Sequence, residues 1–470
     1  MLVPSAPYLS AGDTAWQLTA ATLVGLMTVP GMAMLYGGLM PRRMAVNSAF
    51  MVLYAFAAVL VVWLLAGYAI GFGSPLHLGP GMLSALVGAP RPVLGALAEI
   101  GQARVPLLTG AMPAFRFPNS ALIYFQFAFA AITPALLAGA VLGRMGLRAW
   151  MLFVPLWSLA VYSVNAFWLW GGGWLSQLGA VDYSGGYVIH VAAGVSGFVA
   201  AAAVGARRGG RHPGEAPNNL LLALLGAGIL WLGWNGFNGG DPYFANQDAA
   251  AAVLNTNLGA AAAMLMWVGL DAWAAKRPTL VGAINGLVAG LVAITPAAGY
   301  VNGYGALAVG VAAGLVPWLT MNRLGRLPFL RRVDDTLGVL HTHGVAGAVG
   351  GLLTGLFADP AMIVYAATRG GAPVSVAGLL YGDPGRLLAQ AVGLLAIVAY
   401  DALMTLAVLK VVSLAVPLRM SEGEEELGDA LLHGEHAQAP EHDHAALRRA
   451  VEAALRGHGI RTEAEAASEG

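Results

Sequence analysis

The 470-residue sequence contains no cysteine. Disulfides, thiolate catalysis and cysteine-ligated zinc are therefore excluded, though nothing follows about redox compartment. Charge is nearly as scarce. Asp, Glu, Lys and Arg make up 10% of the chain, where soluble domains carry roughly a quarter. With 58% apolar residues and a mean hydropathy of +0.69, a polytopic membrane protein is the class that remains. The 24 basic and 24 acidic side chains cancel, which argues against a nucleic-acid partner. Lysine is almost missing: only Lys276 and Lys410 occur. Neither follows a phosphate-binding loop of the GxxxxGK[ST] kind, so ATP-driven pumping by this chain is not expected. Nor is an enzyme activity, a cofactor or a metal site. The amino terminus has no basic stretch followed by an apolar one, so no cleavable signal peptide is expected.

Long apolar runs are abundant. A helix crossing the hydrocarbon needs about 20 mostly apolar residues. That length predicts an all-α protein with eleven transmembrane helices near 15–39, 45–73, 119–142, 148–170, 183–205, 218–238, 248–274, 279–297, 303–321, 338–358 and 385–416. The 64 glycines suit closely packed membrane helices. Basic residues orient the bundle. With the N-terminus outside, the short inner loops hold Arg42, Arg43, Arg144, Arg148, Arg207, Arg208, Arg211, Lys276, Arg277, Arg323, Arg326, Arg331 and Arg332. The outer segments hold only Arg91, Arg104, Arg116, Arg369 and Arg386. The C-terminus then lies inside, which requires an odd number of spans.

Two short patterns recur. His190, Gly194 and Gly197 form His-x3-Gly-x2-Gly, as do His343, Gly347 and Gly350. The pentapeptide AITPA occurs at 131–135 and again at 293–297. Each pair is offset by five spans, so the copies insert with opposite polarity. Two five-helix inverted repeats follow, about 15–205 and 218–358, plus a long eleventh helix at 385–416. Such repeats place substrate near the midplane. Residues 1–416 form the membrane domain and 417–470 a cytosolic tail. The tail carries Glu422, Glu424, Glu425, Glu426 and Asp429, and five histidines, His433, His436, His442, His444 and His458. Residues 444–456 have the spacing of a short amphipathic helix. The tail reads as a solvated extension or as a docking segment.

Ionisable groups inside a bilayer are costly and mark pathways. His190 and His343, at matching places in the two repeats, are expected to meet at mid-membrane and line a narrow path for a small cation. Desolvation favours their uncharged forms, and a neutral pair can share one proton. His341 points about 200° away from His343 around a helix, so it is expected to pack rather than line the path. Trp170, at the outer end of span 4, and Phe125, Phe129 and Phe237 read either as ordinary packing or as aromatic faces holding a cation. Asp182 reads as a helix cap or as a source of negative field at the outer mouth, to which Asp241 would add.

WGGG at 170–173, DYSGG at 182–186 followed by His190, YFQFAFAAIT at 124–133, GWNGFNGG at 233–240 and VDDTLGVLHTHGVAG at 333–347 resemble the ammonium transporter (Amt/Mep/Rh) family. The wording is closest to the branch of the second plant-type subfamily and its bacterial relatives. The resemblance runs from about Tyr36 to Arg419 and includes GEEELGDALLHGE in the tail. It implies a homotrimer in the cell membrane, each subunit with eleven spans and its own pore for ammonium, or methylammonium as an analogue. It implies that Trp170 and Phe129 form the outer cation site, Phe129 and Phe237 a stacked phenyl gate, and His190 and His343 the twin histidines. Asp182 matches the aspartate needed for a working pore, and Thr295 a threonine near it. Some bacterial relatives are blocked at the cytosolic face by a PII-class protein. The chain departs from the pattern at Asp241, where many members have serine, at Gly338, where many have aspartate, and at His341, commonly glycine. Rival readings are an ammonium sensor with minor flux and a neutral gas channel of Rh type.

Overall fold

The computed structural model describes residues 6–79, 84–108, 114–208, 216–365 and 374–437. Apart from a short antiparallel ladder, Val364–Tyr365 with Val374–Ser375, its regular structure is helical. Among the described residues, nine rods are long and apolar enough to cross a membrane. They are α1 Ala11–Leu39, α2 Arg42–Phe72, α3 Asn119–Val141, α4 Leu147–Leu178, α5 Gly186–Val204, α6 Leu220–Gly239, α7 Gln247–Ala274, α9 Gly303–Asn322 and α11 Pro384–Ala415. Two shorter apolar helices lie between them: α8, Leu280–Ile294, and α10, residues 340–357. The seam between α3 and its neighbours is the centre of the bundle, and α3 is almost wholly buried.

Helices are the form that apolar segments of this length take in lipid, because every backbone group is then satisfied within the segment. The starts are set by polar caps. Ser10, Asn219, Asn246, Thr279, Asn302 and Asp383 each accept a backbone N–H from the first turn that follows. α1 therefore begins at Ala11, earlier than its apolar run, with Asp13 paired to Arg116 at 2.8 Å. Among the described residues, five helices contain one widened π-helical turn, at Met27–Met32, Trp63–Gly67, Ser158–Tyr162, Gly186–Val191 and Leu340–Val345. The last two carry His190 and His343, and such turns concentrate at functional sites.

One end of the bundle is tied together by charge. Arg144, fully buried, donates to the carbonyls of Ala140, Gly205 and Asp334 and to Thr336 Oγ1. Asp334 also takes a two-pronged pair from Arg207, at 2.7 and 2.8 Å. Burial alone would raise the Asp334 carboxyl, but the Arg207 bonds and the Arg144 charge hold it well below the usual carboxylate range.

The tail docks at this same end. Met420 N–H donates to the Arg144 carbonyl, and Gly146 N–H to that of Leu418. Helix α12, Glu422–Leu427, starts in a capping box formed by Ser421 and Glu424. The Asp429 carboxylate, at the start of α13, Asp429–Leu432, accepts the Val46 and Asn47 N–H groups at 2.8 Å each. It thereby caps α2 from the far end of the chain. His433 lies over Phe50, ring centroids 5.1 Å apart. So 417–437 is a docked segment, not a solvated extension. His442, His444, His458 and the helix expected at 444–456 fall outside the described residues. Asp429→Ala is expected to free this segment at a cost of about 1–3 kcal/mol. Hydrogen-exchange protection over 418–437 should fall while the membrane helices keep theirs; unchanged tail protection would show that the cap does not hold it.

Candidate functional site

The two histidines are delivered by the same local construction. Asp182 and Asp335 each stand eight residues before a histidine. The Asp182 carboxylate accepts N–H groups from Gly185, Gly186, Tyr187 and Val188, at 3.3, 2.6, 2.9 and 3.0 Å. The Asp335 carboxylate accepts those of Gly338, Val339 and Leu340, at 3.1, 2.9 and 2.8 Å. Gly185 and Gly338, three residues after each aspartate, both take positive φ, 113° and 75°. Side chains disfavour that region, and glycine occupies it freely. Gly338 is thus the turn glycine of the second copy, in register with Gly185. Burial pushes the Asp182 carboxyl up to about 6, and its four backbone hydrogen bonds act in the opposite direction.

The repeated glycines then let the two turns meet. A methyl group on Gly194 would overlap the backbone of Gly344, beside His343. One on Gly347 would press on the Gly186 carbonyl and on His190 Cβ. The starts of the two helices also cross over: Tyr183 N–H donates to the Pro296 carbonyl at the end of α8, and Thr336 N–H to the Ala140 carbonyl at the end of α3. His190 Nδ1 and His343 Nδ1 come to 3.2 Å, with ring centroids 5.3 Å apart and planes at 24°. Two facing Nδ1 atoms are satisfied by one proton, one ring donating and the other accepting. His190 Nε2 is buried and has no hydrogen-bond partner.

Aromatic rings lead from the end of α4 to this pair. Trp170 stands where α4 breaks at Gly171–Gly173, at the end of the bundle away from the tail, and its indole N–H donates to the Asp182 carbonyl at 2.7 Å. Phe129 meets Trp170 edge-on, centroids 6.2 Å apart. It lies 4.4 Å from Phe237 and 4.7 Å from Phe125. Phe237 lies 6.0 Å from His190 at 23°. The expected stacked phenyl pair is a tilted one: the Phe129 and Phe237 planes, from α3 and α6, cross at 51°.

The structure therefore brings together Trp170, Phe125, Phe129, Phe237, His190 and His343. Asp182 is the cap of the His190 turn, its carboxylate occupied by backbone. Thr295 touches the site through another residue, accepting the Trp234 indole N–H at 2.8 Å. His341 faces α9, with Nδ1 3.1 Å from Thr320 Oγ1, as its helical offset predicts. Asp241 is buried and bonded to Ser184. Three residues were not singled out from the sequence. Trp234 stacks on His190, centroids 5.4 Å apart at 20°, but looks like any membrane tryptophan. Ser184 carries no signature of its own. Asp335 was legible, since its spacing to His343 repeats that of Asp182 to His190.

Comparisons with known proteins show what the chain is similar to. A sequence profile described as Ammonium Transporter Family matches residues 15–438. "Ammonium transporter 3 member 2" of Oryza sativa subsp. japonica is 48% identical over 449 residues, covering 92% of this chain and 91% of its own. "Ammonium transporter 2" of Arabidopsis thaliana is 48% identical over 445 residues, covering 93% and 90%. Among solved structures, Saccharomyces cerevisiae Mep2 superposes with a TM-score of 0.73 at 31% identity, covering 88% of this chain and 89% of its own.

Proposed function

The chain belongs to the ammonium transporter family, and from that premise we propose that it recruits ammonium at an outer aromatic site, removes a proton and conducts ammonia past a twin-histidine bottleneck. It is a membrane-spanning transporter and not an enzyme. The observation that carries the mechanism is the unbroken series Trp170, Phe129, Phe237, His190, His343, which ends on two imidazoles 3.2 Å apart. Aromatic faces attract a cation by about 0.5–2 kcal/mol depending on desolvation. They offer an anion nothing. A desolvated passage beyond them penalises any ion that keeps its charge, and ammonium alone among common small monovalent cations can shed it as a proton. The neutral imidazoles then exchange hydrogen bonds with ammonia. Thr295 acts by orienting Trp234 over His190, and Asp182 by holding both the His190 turn and the Trp170 indole.

In this reading α8 and α10 also cross, giving eleven spans with the N-terminus outside, and the basic residues around Arg144 and Arg207 face the cytosol. Residues 1–416 are then the transport domain, built of oppositely inserted halves, and 417–470 the cytosolic tail. The repeat is supported by the shared Asp-x2-Gly-x4-His register and by the crossed contacts of Tyr183 and Thr336. The cell membrane as its location, a homotrimer and a PII-class protein at the cytosolic face follow from the family likeness alone.

Trp170→Leu tests the outer site. Losing one aromatic face should weaken the apparent ammonium affinity about 2- to 30-fold, the factor to which that cation–aromatic energy converts. The measurement is the concentration dependence of ammonium-evoked signals from purified protein in proteoliposomes, read both as charge movement on a supported membrane and as luminal pH. An unchanged affinity would return Trp170 to plain packing.

A further inference from the structure

Ser184 lies two residues after Asp182, and its hydroxyl meets two acceptors. Its Oγ is 2.8 Å from the Phe237 carbonyl oxygen and is also bonded to the Asp241 carboxylate. A serine hydroxyl has one proton and cannot donate to both at once. Two arrangements satisfy the group. In one, Asp241 is ionised and accepts a hydrogen bond from the Ser184 hydroxyl. In the other, Asp241 is a carboxylic acid that donates to Ser184 Oγ, and Ser184 donates to the Phe237 carbonyl. They differ by one proton on Asp241 and one rotation of a hydroxyl.

The pair stands beside the aromatic series. Phe237, whose carbonyl is the second acceptor, is the ring between Phe129 and His190. Gly240, next to Asp241, packs so closely on the Phe125 ring that a Cβ there would overlap it. Ser184 is on the loop whose Asp182 carbonyl holds the Trp170 indole. Ser184 is fully buried and Asp241 is 9% exposed. The titratable groups around them are Asp182, its carboxylate taken up by four backbone N–H groups, Tyr162 from α4, whose buried hydroxyl has no hydrogen-bond partner, and Tyr243, whose hydroxyl accepts from Gln126. Among the described residues, no lysine or arginine contributes to the field on Asp241.

We propose that Asp241, switched by the Ser184 hydroxyl, is the group that accepts the proton ammonium gives up before its nitrogen enters the histidine passage. This rests on the ammonium reading above and names the acceptor that reading leaves open. One N–H bond of ammonium breaks, its electron pair stays on nitrogen as ammonia, and the proton forms an O–H bond on the Asp241 carboxylate. Ser184 then turns from the carboxylate to the Phe237 carbonyl. A cation and an anion become two neutral groups, which is the favourable direction in a desolvated site. The return of the proton to the outer solution resets the pair. Burial holds the Asp241 carboxyl well above the usual carboxylate range, the Ser184 bond opposing it and Asp182 adding to it, so the carboxylate binds a proton more readily than an exposed one.

The test is ammonium uptake into proteoliposomes across a series of external pH values, for the wild type, Asp241→Asn, Asp241→Glu and Ser184→Ala. Uptake by the wild type should fall on the acid side, where Asp241 stays protonated and cannot accept. Asp241→Asn should lower uptake about a hundredfold and flatten that acid limb. Asp241→Glu should restore it. Ser184→Ala, which removes the donor to the ionised form, should move the limb to higher pH. Wild-type uptake and an unaltered limb in Asp241→Asn would overturn the assignment. Should Asp241→Asn not yield folded protein, an unmoved limb in Ser184→Ala overturns it equally. A wild type that takes up no ammonium would instead sink the transport reading itself.

Discussion

Replacing His190 by alanine is expected to cost the protein its preference for ammonium over potassium while leaving it folded. The ring is buried among Trp234, Phe237 and His343, and it supplies half of the shared-proton contact. Its removal leaves His343 Nδ1 without that partner, at about 1–3 kcal/mol, and opens a space beside that polar nitrogen for water to follow along the passage. A hydrated passage no longer demands that the traveller lose its charge. Ions that cannot shed a proton should then pass, and the ratio of ammonium to potassium flux should fall by about tenfold or more, each tenfold corresponding to 1.4 kcal/mol. Flux measured with both cations on the same proteoliposomes decides this. A His190→Ala protein with wild-type discrimination would remove the histidine pair from the selectivity mechanism and leave only the aromatic site to account for it.

The other large effect should come from Asp182→Ala, and it should be structural. Four backbone N–H groups end on that one carboxylate. Bonds to a charged acceptor are worth about 1.5–3 kcal/mol each, and the buried donors would be left unpaired. A total above about 4 kcal/mol is expected even without full additivity. The start of α5 should fray and take His190 and the Trp170 indole contact with it. Thermal stability in detergent should drop sharply for Asp182→Ala, less for Asp182→Asn, which keeps one acceptor oxygen, and nearly as far for Asp335→Ala, with its three N–H groups. A stable Asp182→Ala with weakened ammonium affinity alone would mean that the residue acts through its field at the mouth and not as a cap.

Long-range organisation was readable in the chain because lipid forces it. Nine apolar runs became rods at nearly the expected places, and two histidines in apolar segments found each other across 153 positions. Ends were harder. α1 starts before its apolar run because Ser10 and the Asp13–Arg116 pair stabilise polar residues outside the hydrocarbon. α8 stops at Ile294, before the predicted 297, because Thr295 and Pro296 turn the chain towards Tyr183. Side-chain identity alone could not pick out Trp234 or Ser184, whose roles come from what the fold sets beside them. Gly338 is the instructive residue. It looked like a lost aspartate, but the unit the two copies share is the spacing Asp-x2-Gly-x4-His, and Asp335 supplies the acid three residues earlier.

The tail illustrates a different limit. Its acidic run suggested only a solvated surface or a docking element. The decision between them depended on Asp429 reaching the bare N–H groups at the start of α2, a contact spanning almost the whole chain. Through Arg144 the docked tail also borders Asp334, the residue before the cap of the His343 turn.

Matched pulses of ammonium and of potassium, given to one preparation of wild-type proteoliposomes, address the deprotonation step most directly. Potassium has the same charge as ammonium and a similar size, but has no proton to lose. Entry of nitrogen with no detectable potassium movement is the predicted result; potassium entering at a rate comparable to ammonium would contradict the account, because the cation would then be crossing with its charge intact.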